Sequence, residues 1–279
     1  MKVLDLFSGI GGFALGLENA GFETAAFCEI DPYAQKVLAK NWPEVPIYDD
    51  IRRITADRLV SDGIGVDVIT GGFPCQDIST AGTKSGLDGK RSGLWSECAR
   101  LLGDVRPRYA IFENVTNLLT GDGGDWFKRV LWDISSIGYD AEWHCIPASA
   151  IGAVHHRDRV WIVAYPHELG LEEHGYSESD KSFVKSEAVS DTSSEGLQGG
   201  QEARNNGEDR QKPRNQLITG LSGVQGGIWE AEPNVGRVAN GVPSRSHRLK
   251  CLGNAVVPQI PELIGRQIME RECQKLTDG

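Results

Sequence analysis

The cysteine at position 75 stands where nucleophilic chemistry could take place. It follows the apolar run "VDVIT" and the turn "GGFP". The run predicts a buried strand, so Cys75 would emerge at its carboxyl end, where open α/β sheets bind ligands. A free thiol with a pKa of about 8.5 is mostly protonated at neutral pH, so a reactive Cys75 needs positive charge or backbone amides nearby. The alternative is an inert buried cysteine, which is the commoner case inside cells.

A carboxylic acid and two arginines follow at the ends of later apolar runs. Glu113 ends the run "YAIF", and neighbouring strands would bring it into one crevice with Cys75 as a general acid beside a nucleophile. A lone surface or helix-capping glutamate is the alternative. Arg157 and Arg159 alternate in "HHRDRVW" and would share one face of a strand. They form either a solvated strand edge or a clamp on phosphate or on an anionic intermediate.

The segment "DLFSGIGGFALGL" near the N-terminus predicts a site for an adenosine-type cofactor. Gly9, Gly11 and Ala14 match the pattern G-x-G-x-x-G/A between a strand and a helix. Such glycines allow a ligand to approach the backbone and expose amides at the helix N-terminus. Glu29 follows twenty residues after Gly9, at the end of the next predicted strand. A carboxylate there can accept hydrogen bonds from ribose hydroxyl groups. The pattern does not separate NAD from S-adenosylmethionine, and a plain tight turn is the alternative.

Strand and helix patterns alternate from the N-terminus to about residue 164, which predicts an α/β fold. The expected architecture is a Rossmann-like, mostly parallel sheet with helices on both faces. Composition changes after Tyr165 toward Gly, Ser, Asn and charge. We therefore expect a catalytic, cofactor-binding domain at 1–165 and a small irregular region at 166–245, or a disordered insertion there. Residues 246–279 would form a C-terminal segment that packs back on the first domain, with a helix that starts near Pro261.

Composition narrows the class of protein. The 279 residues carry a formal net charge of −10, with 39% hydrophobic and 24% charged residues, as in globular proteins. The six cysteines form no Cys-x-x-Cys pair, and His155 and His156 have no third ligand at suitable spacing, so no metal site is expected. Scattered thiols, no apolar run of membrane length and no signal peptide favour a cytoplasmic protein.

In chain order, seven short blocks resemble those of the C5-cytosine DNA methyltransferase family. They are "DLFSGIGG", "CEID", "DDI", "GGFPCQDIST", "FENV", "HHRDR" and "RLKCLGNAVVP", and they span about residues 3–164 and 245–272. The resemblance implies S-adenosylmethionine as cofactor and a flipped-out cytosine of double-stranded DNA as substrate. It implies that Cys75 adds to C6 of the ring, that protonated Glu113 stabilises ring N3, and that C5 is then methylated.

The resemblance also implies roles for individual residues. Arg157 and Arg159 correspond to the family's arginine pair in the catalytic site. Phe7 would pack on the adenine, Glu29 would hold the ribose, and Asp50 would hold the adenine amino group. The implied cofactor-binding set is Phe7, Gly9, Gly11, Glu29, Ile30, Asp50, Ile51, Pro74 and Asn254. One position departs from the pattern, because the family usually has Gln where His155 stands.

On the same resemblance, residues 166–245 are the target-recognition region. The expected DNA contacts are Gln76, Ser79, Arg237, Arg245 and Arg248. Residues 237–250 hold four basic and no acidic side chains, and this strip either faces phosphate or is simply solvated. We expect a monomer, associated with the nucleoid, whose cognate restriction endonuclease would be a functional and not a physical partner.

Three other functions compete with this interpretation. An NAD-dependent dehydrogenase would use the glycine turn and Glu29 but gives Cys75 and Glu113 no shared role. A catalytically decayed DNA-binding protein of the same fold is opposed by the intact Cys, Glu and Arg set. A methyltransferase acting on RNA is the third, and the Cys-Phe-Thr tripeptide of the subfamily that acts on transfer RNA is absent near this point, which favours DNA.

Overall fold

A computed structural model describes residues 1–74, 93–153, 155–169 and 245–277. These residues belong to one compact unit that comprises Met1–Gly170 and Gly227–Gly279. The predicted target-recognition region, apart from residues 166–169 and 245, lies outside the described residues. So do Cys75, Gln76, Ser79 and Arg237.

The described strands form one sheet in the order β3-β2-β1-β4-β5-β7-β6. The first five strands in this order run parallel, whereas β7 is antiparallel to both β5 and β6. The strand bounds are β1 Lys2–Leu6, β2 Glu23–Cys28, β3 Ile47–Tyr48, β4 Val68–Gly71, β5 Tyr109–Val115, β6 Tyr139–Pro147 and β7 Asp158–Pro166. The predicted mostly parallel, Rossmann-like sheet is confirmed.

Helices cover both faces of this sheet. The helix bounds are α1 Gly12–Asn19, α2 Pro32–Asn41, α3 Ala56–Ser61, α4 Gly93–Val105, α5 Asp125–Ser136, α6 Arg245–Asn254 and α7 Gln259–Thr277. One apolar core joins the sheet to α4 and α5 through residues such as Leu101 and Val130. A second core joins the opposite face to α1 and α7, through Leu17 and Ile268 among others. Alternate residues of β1, β4, β5 and β7 supply the two cores.

Local sequence signals explain where several of these elements begin and end. Asp31 caps α2, because its carboxylate accepts the Tyr33 amide at 2.9 Å, and Pro32 occupies the first helical position. Helix α1 ends at Asn19, and Gly21 follows with a φ of 91°. Glycine is favoured at this left-handed position just after a helix. The last helix begins at Gln259, two residues before the position expected near Pro261.

The C-terminal segment lies against α1 at two small residues. A Cβ atom at Gly12 would come within 2.5 Å of the Val256 carbonyl oxygen, and one at Gly16 would collide with the carbonyl of Pro258. At the far end of α7, the Tyr109 hydroxyl donates to Glu272 at 2.8 Å. The close contact of α1 with the backbone of Val256 and Pro258 requires glycine at both positions and fixes the chain that leads into α7. Among the described helices, none is long and apolar enough to cross a membrane.

Candidate active site

The turn after β1 adopts a backbone conformation that few side chains tolerate. Phe7, Gly9 and Gly11 all have positive φ angles, of 53°, 55° and 87°. A Cβ atom at Gly11 would lie 2.6 Å from the ring of Trp42, so the turn also packs too closely for a larger residue. Phe7 is half-buried, and a non-glycine residue held at positive φ commonly marks a functional site.

Glu29 ties this glycine turn to the end of β2. One carboxylate oxygen accepts the Gly9 amide at 2.7 Å and the other accepts the Asp31 amide at 2.8 Å. The side chain is buried, and the next residue, Ile30, is 69% exposed. Each carboxylate oxygen retains a second lone pair that can accept a further hydrogen bond. A polar carboxylate beside an exposed apolar side chain suits a ligand with a sugar and an apolar ring.

Asp50, the residue expected to hold an adenine amino group, is bound by a neighbouring arginine. Arg52 donates to both carboxylate oxygens of Asp50, with a shortest distance of 2.6 Å. This hydrogen bond lowers the pKa of Asp50, so the carboxylate stays ionised at neutral pH. Ile51, the residue between them, is buried. The geometry leaves Asp50 available only as an acceptor that it shares with Arg52.

The end of β4, which leads to Cys75, lies beside the end of β5, which carries Glu113; Cys75 itself is outside the described residues. Gly71 pairs with Phe112 in the parallel ladder. A Cβ atom at Gly72 would be 3.1 Å from Oε2 of Glu113, so the glutamate lies directly against the loop that leads to Cys75. The Asn114 amide donates to the Phe73 carbonyl at 3.1 Å and holds the same loop. Pro74, half-buried, is the last residue described before Cys75.

Glu113 is paired with one of the two predicted arginines. Arg159 Nε lies 2.8 Å from Glu113 Oε1, and Val115 of β5 is the ladder partner of Arg159 on β7. Burial raises the pKa of the Glu113 carboxyl above its ordinary value, against the positive charges of Arg159 and Arg157, which lower it. A carboxyl with a raised pKa holds a proton more readily, as a general acid requires.

Arg157 lies on the same side of the site but binds different atoms. Its guanidinium donates to the Gly253 carbonyl at 2.7 Å and to the Ala255 carbonyl at 2.8 Å. The two arginines that the sequence treats as one pair are therefore divided in the structure. Arg159 contacts the carboxylate, and Arg157 contacts the C-terminal segment at either side of Asn254, which is exposed.

Sequence reasoning missed a buried polar pair between the two ends of the site. Asp5 of β1 is fully buried, and its Oδ1 accepts the Thr70 hydroxyl of β4 at 2.6 Å. Its second oxygen, Oδ2, has no hydrogen-bond partner among the described protein atoms. Burial raises the pKa of Asp5 to about 7. The signal was present, because an aspartate interrupts the apolar run "KVLDL" and a threonine ends "VDVIT".

The predicted DNA-side residues are described only in part. Arg248 is exposed on α6, and nothing beyond the backbone of Arg245 is described. Helix α6 is held against α2, since Lys250 lies 3.1 Å from Asp31 and His247 stacks on Tyr33 with ring centroids 5.5 Å apart. The exposed basic residues of α6 thus lie near the start of α2, which follows Glu29. His155 is half-buried.

Sequence comparisons relate the chain to DNA methyltransferases. A protein from Bacillus subtilis (strain 168) named type II methyltransferase M2.BsuMI is 41% identical over 168 residues, which are 59% of this chain and 42% of that protein. Type II methyltransferase M.FnuDI from Fusobacterium nucleatum is 31% identical over 225 residues, 79% of this chain and 64% of its own length. The chain thus spans less than two thirds of these curated relatives.

Solved structures support the same fold. A protein described as a DNA modification methyltransferase encoded within an E. coli prophage shares 28% identity at a TM-score of 0.54, over 62% of this chain and 49% of that one. A DNMT2 mutant from Spodoptera frugiperda, 23% identical at a TM-score of 0.50 over 63% of this chain and 53% of that one, shows the fold alone. The sequence profile of C-5 cytosine-specific DNA methylases matches residues 1–241, and the chain therefore belongs to that family.

Proposed function

We propose that this chain transfers a methyl group from S-adenosylmethionine to C5 of a specific cytosine in double-stranded DNA. The observation that carries the proposal is the position of Glu113. Its carboxyl is paired with Arg159 at 2.8 Å and lies against Gly72, three residues before Cys75. A buried acid beside a loop with a potential nucleophile supports addition of that nucleophile to an electron-poor ring.

The residues at the ends of β1 and β2 fit the proposed cofactor. Glu29 keeps free lone pairs for ribose hydroxyls, the turn at Gly9 and Gly11 allows close approach, and Ile30 and Phe7 offer apolar surface for the adenine. Asp50 remains ionised and can accept from the adenine amino group. Ile51, Pro74 and Asn254 would complete the pocket. S-adenosylmethionine, when bound, supplies the electrophilic methyl group that C5 of cytosine takes up.

At the other end of the site, the chain's own residues would activate the cytosine. The Cys75 thiolate adds to C6, which breaks the aromaticity of the ring and makes C5 enamine-like. Protonated Glu113 donates to N3 and stabilises the electron pair displaced by that addition. After C5 is methylated, a base removes the C5 proton and the C6–sulfur bond breaks, which restores both the ring and the thiol. Burial of Glu113 favours the protonated form that the first step needs.

The ring edge that these groups must reach is stacked inside duplex DNA, so the base must be flipped out at a cost of about a few kcal/mol. Residues 166–245 would select the sequence around that base. Gln76, Ser79, Arg237, Arg245 and Arg248 would contact the DNA. The cognate restriction endonuclease would share the recognition sequence without binding this chain. We place this reaction in the cytoplasm, at the nucleoid, with the protein acting as a monomer.

Bisulfite sequencing of host DNA after expression of the chain tests this function directly. We expect protected cytosines within one short recurring sequence context, and none when Cys75→Ala is expressed at the same level. A matched digest of total RNA separates the RNA alternative, because methylated cytosine confined to RNA would assign the chain to that class. Binding of DNA without any methylation by the unmodified chain would support the decayed DNA-binding protein instead.

A further inference from the structure

The loop between α6 and α7, residues 255–258, contacts both Arg157 and helix α1. On one side, Arg157 donates to the carbonyl of Ala255, the first residue of the loop. It also donates to the carbonyl of Gly253, two residues earlier. On the other side the carbonyls of Val256 and Pro258 lie on Gly12 and Gly16 of α1. We call residues 255–258 the tail loop. The tail loop thus connects Arg157, which precedes β7, with α1, which follows the glycine turn.

Arg157 satisfies carbonyls that α6 itself cannot pair. The last carbonyls of an α-helix have no partner within the helix, and they carry its partial negative charge. The Arg157 guanidinium pairs one carbonyl of the last turn, that of Gly253, and the carbonyl of Ala255, the first residue after the helix. This fork favours one direction for the chain that leaves α6. The backbone on both sides of Asn254 is thereby held, although Asn254 itself is exposed. Asn254 is also the one residue of the C-terminal segment that the proposed function places in the cofactor pocket.

The same guanidinium has a different neighbourhood from that of Arg159. Arg159 contacts the Glu113 carboxylate, whereas Arg157 donates to two main-chain carbonyl oxygens of the C-terminal segment. Burial and the like charge of Arg159 lower the pKa of Arg157, while the negative charge of Glu113 raises it. An arginine whose donors face backbone carbonyls is placed to hold a chain segment in position.

We propose that Arg157 is a positioning residue for the cofactor pocket: it holds the tail loop, and through it Asn254 and the start of α1. This inference rests on the proposed function, since it concerns the same pocket. It assigns to Arg157 a role distinct from that of Arg159, which acts on Glu113. Loss of the fork would let the tail loop leave α1 and weaken cofactor binding before it alters the covalent step.

Calorimetry with S-adenosylmethionine and the full-length protein measures the first consequence. Arg157→Ala should weaken binding about tenfold, and Arg157→Lys, which keeps the charge and one donor, should recover part of the loss. Arg106→Lys is the matched control, because Arg106 also donates to a main-chain carbonyl, that of Ile137. That control should bind as the unmodified protein does. Unchanged affinity of Arg157→Ala, or equal losses in Arg157→Ala and Arg106→Lys, would overturn the proposal.

Hydrogen exchange of the free protein gives a readout that needs no ligand and no activity. Amides of the tail loop and of the α6 C-terminus should exchange at least tenfold faster in Arg157→Lys, and to a greater extent in Arg157→Ala if that variant folds. Unchanged exchange in Arg157→Lys would show that the fork does not hold the loop. If the unmodified protein fails to bind S-adenosylmethionine, the proposed function fails, while this exchange result still decides the role of Arg157.

A double variant separates an indirect effect from a direct contact. Gly12→Ala places a methyl group against the Val256 carbonyl and should displace the tail loop from α1 on its own. If Arg157 acts through the tail loop, Gly12→Ala with Arg157→Lys should bind S-adenosylmethionine no more weakly than the worse single variant. Fully additive losses would instead mean that Arg157 contacts the ligand independently, and would overturn the proposal.

Discussion

Two glutamates lie at the carboxyl ends of β2 and β5, and the chain holds them in different ways. Glu29, at the cofactor end, is fixed by two backbone amides, those of Gly9 and Asp31. Glu113, at the base end, is fixed by the side chain of Arg159 and lies against Gly72. Backbone amides stabilise an ionised acceptor, whereas burial raises the pKa of Glu113, which suits a group that must hold and release a proton. Under the proposed function, Glu29 is the binding carboxylate and Glu113 the catalytic one.

A third carboxyl between these two sharpens the contrast. Asp5 has the hydroxyls of Thr70 and Ser8 as neighbours in place of a cation or backbone amides, and its Oδ2 has no hydrogen-bond partner among the described protein atoms. Its pKa rises to about 7 because burial outweighs the lowering effect of these hydroxyls. The environment of each of the three carboxyls is therefore set by its hydrogen-bond and ion-pair partners and not by whether the residue is Asp or Glu. Each prediction below removes one of these partners or one of these carboxyls.

The largest effect should come from Glu113→Gln. The amide can still meet Arg159 but cannot supply a proton to N3, so the methylation rate should fall by about 10²–10⁴. Affinity for S-adenosylmethionine should stay within about twofold, and both are measured by single-turnover methylation and calorimetry. Glu97→Gln is the control, because Glu97 makes an equal 2.8 Å contact with an arginine, Arg100, on α4. If Glu97→Gln lost as much methylation rate as Glu113→Gln, the loss could not be assigned to a proton supplied by Glu113.

Asp5 should make the stability of the fold depend on pH. Its pKa is raised from 3.8 to about 7, so the stability it contributes is present below pH 4 and is lost as pH rises through 7. The full span corresponds to an order of magnitude of about 4 kcal/mol. Denaturant unfolding of Asp5→Asn should show a flatter profile between pH 4 and 8 than the unmodified chain. Parallel profiles would mean that Asp5 does not titrate in this range.

Glu29→Ala should act on binding rather than on the rate. Loss of two charge-assisted hydrogen bonds frees the glycine turn and removes the ribose acceptor, so affinity for S-adenosylmethionine should fall about 10–100-fold. The rate with saturating cofactor should change little. Thr55→Ala removes another side-chain acceptor of a backbone amide, that of Arg58, away from the pocket. It should lower stability without lowering affinity. A Glu29 variant with native affinity would exclude its role.

The smallest effect is a shift in the pH profile of Arg159→Gln. Arg159 lowers the pKa of Glu113 against burial, so its removal should raise that pKa further. The protonated acid would then persist to higher pH, and the basic limb of the single-turnover profile should move upward by about one pH unit or less. Arg129→Gln breaks an exposed pair with Asp133 and should leave the profile in place. Movement to lower pH would contradict the assignment of Glu113.

Local sequence signals were enough for several of the elements that carry the candidate site residues. The start of α2 at Asp31 and Pro32, and the register that brings Gly71 beside Phe112, follow from capping chemistry and from strand ends meeting at one sheet edge. Strand β6 was not predicted, because most of its residues are exposed or half-buried and it lacks an apolar run. Its position at the sheet edge, next to β7, is set by tertiary contacts and is not indicated by any local sequence pattern.

The different partners of Arg157 and Arg159 could not be predicted from the local sequence either. Their alternation in sequence implies one shared face, yet their partners lie 46 and about 100 residues away, on β5 and in the C-terminal segment. Which partner each arginine meets depends on the return of the chain after residues 166–245. The buried Asp5–Thr70 bond likewise joins strands 65 residues apart. Contacts of this kind become visible only when the sheet is assembled.

Trapping of the covalent adduct tests the central claim most directly. Duplex DNA with 5-fluorocytosine at the target should hold the enzyme, in the presence of S-adenosylmethionine, as a denaturant-stable complex. Fluorine at C5 cannot leave as a cation, so elimination stalls after the methyl transfer. The shifted band should vanish with Cys75→Ala and form more slowly with Glu113→Gln, while Cys98→Ala and Cys145→Ala should still form it. A complex that survives Cys75→Ala, or methylation by that variant, would contradict the mechanism.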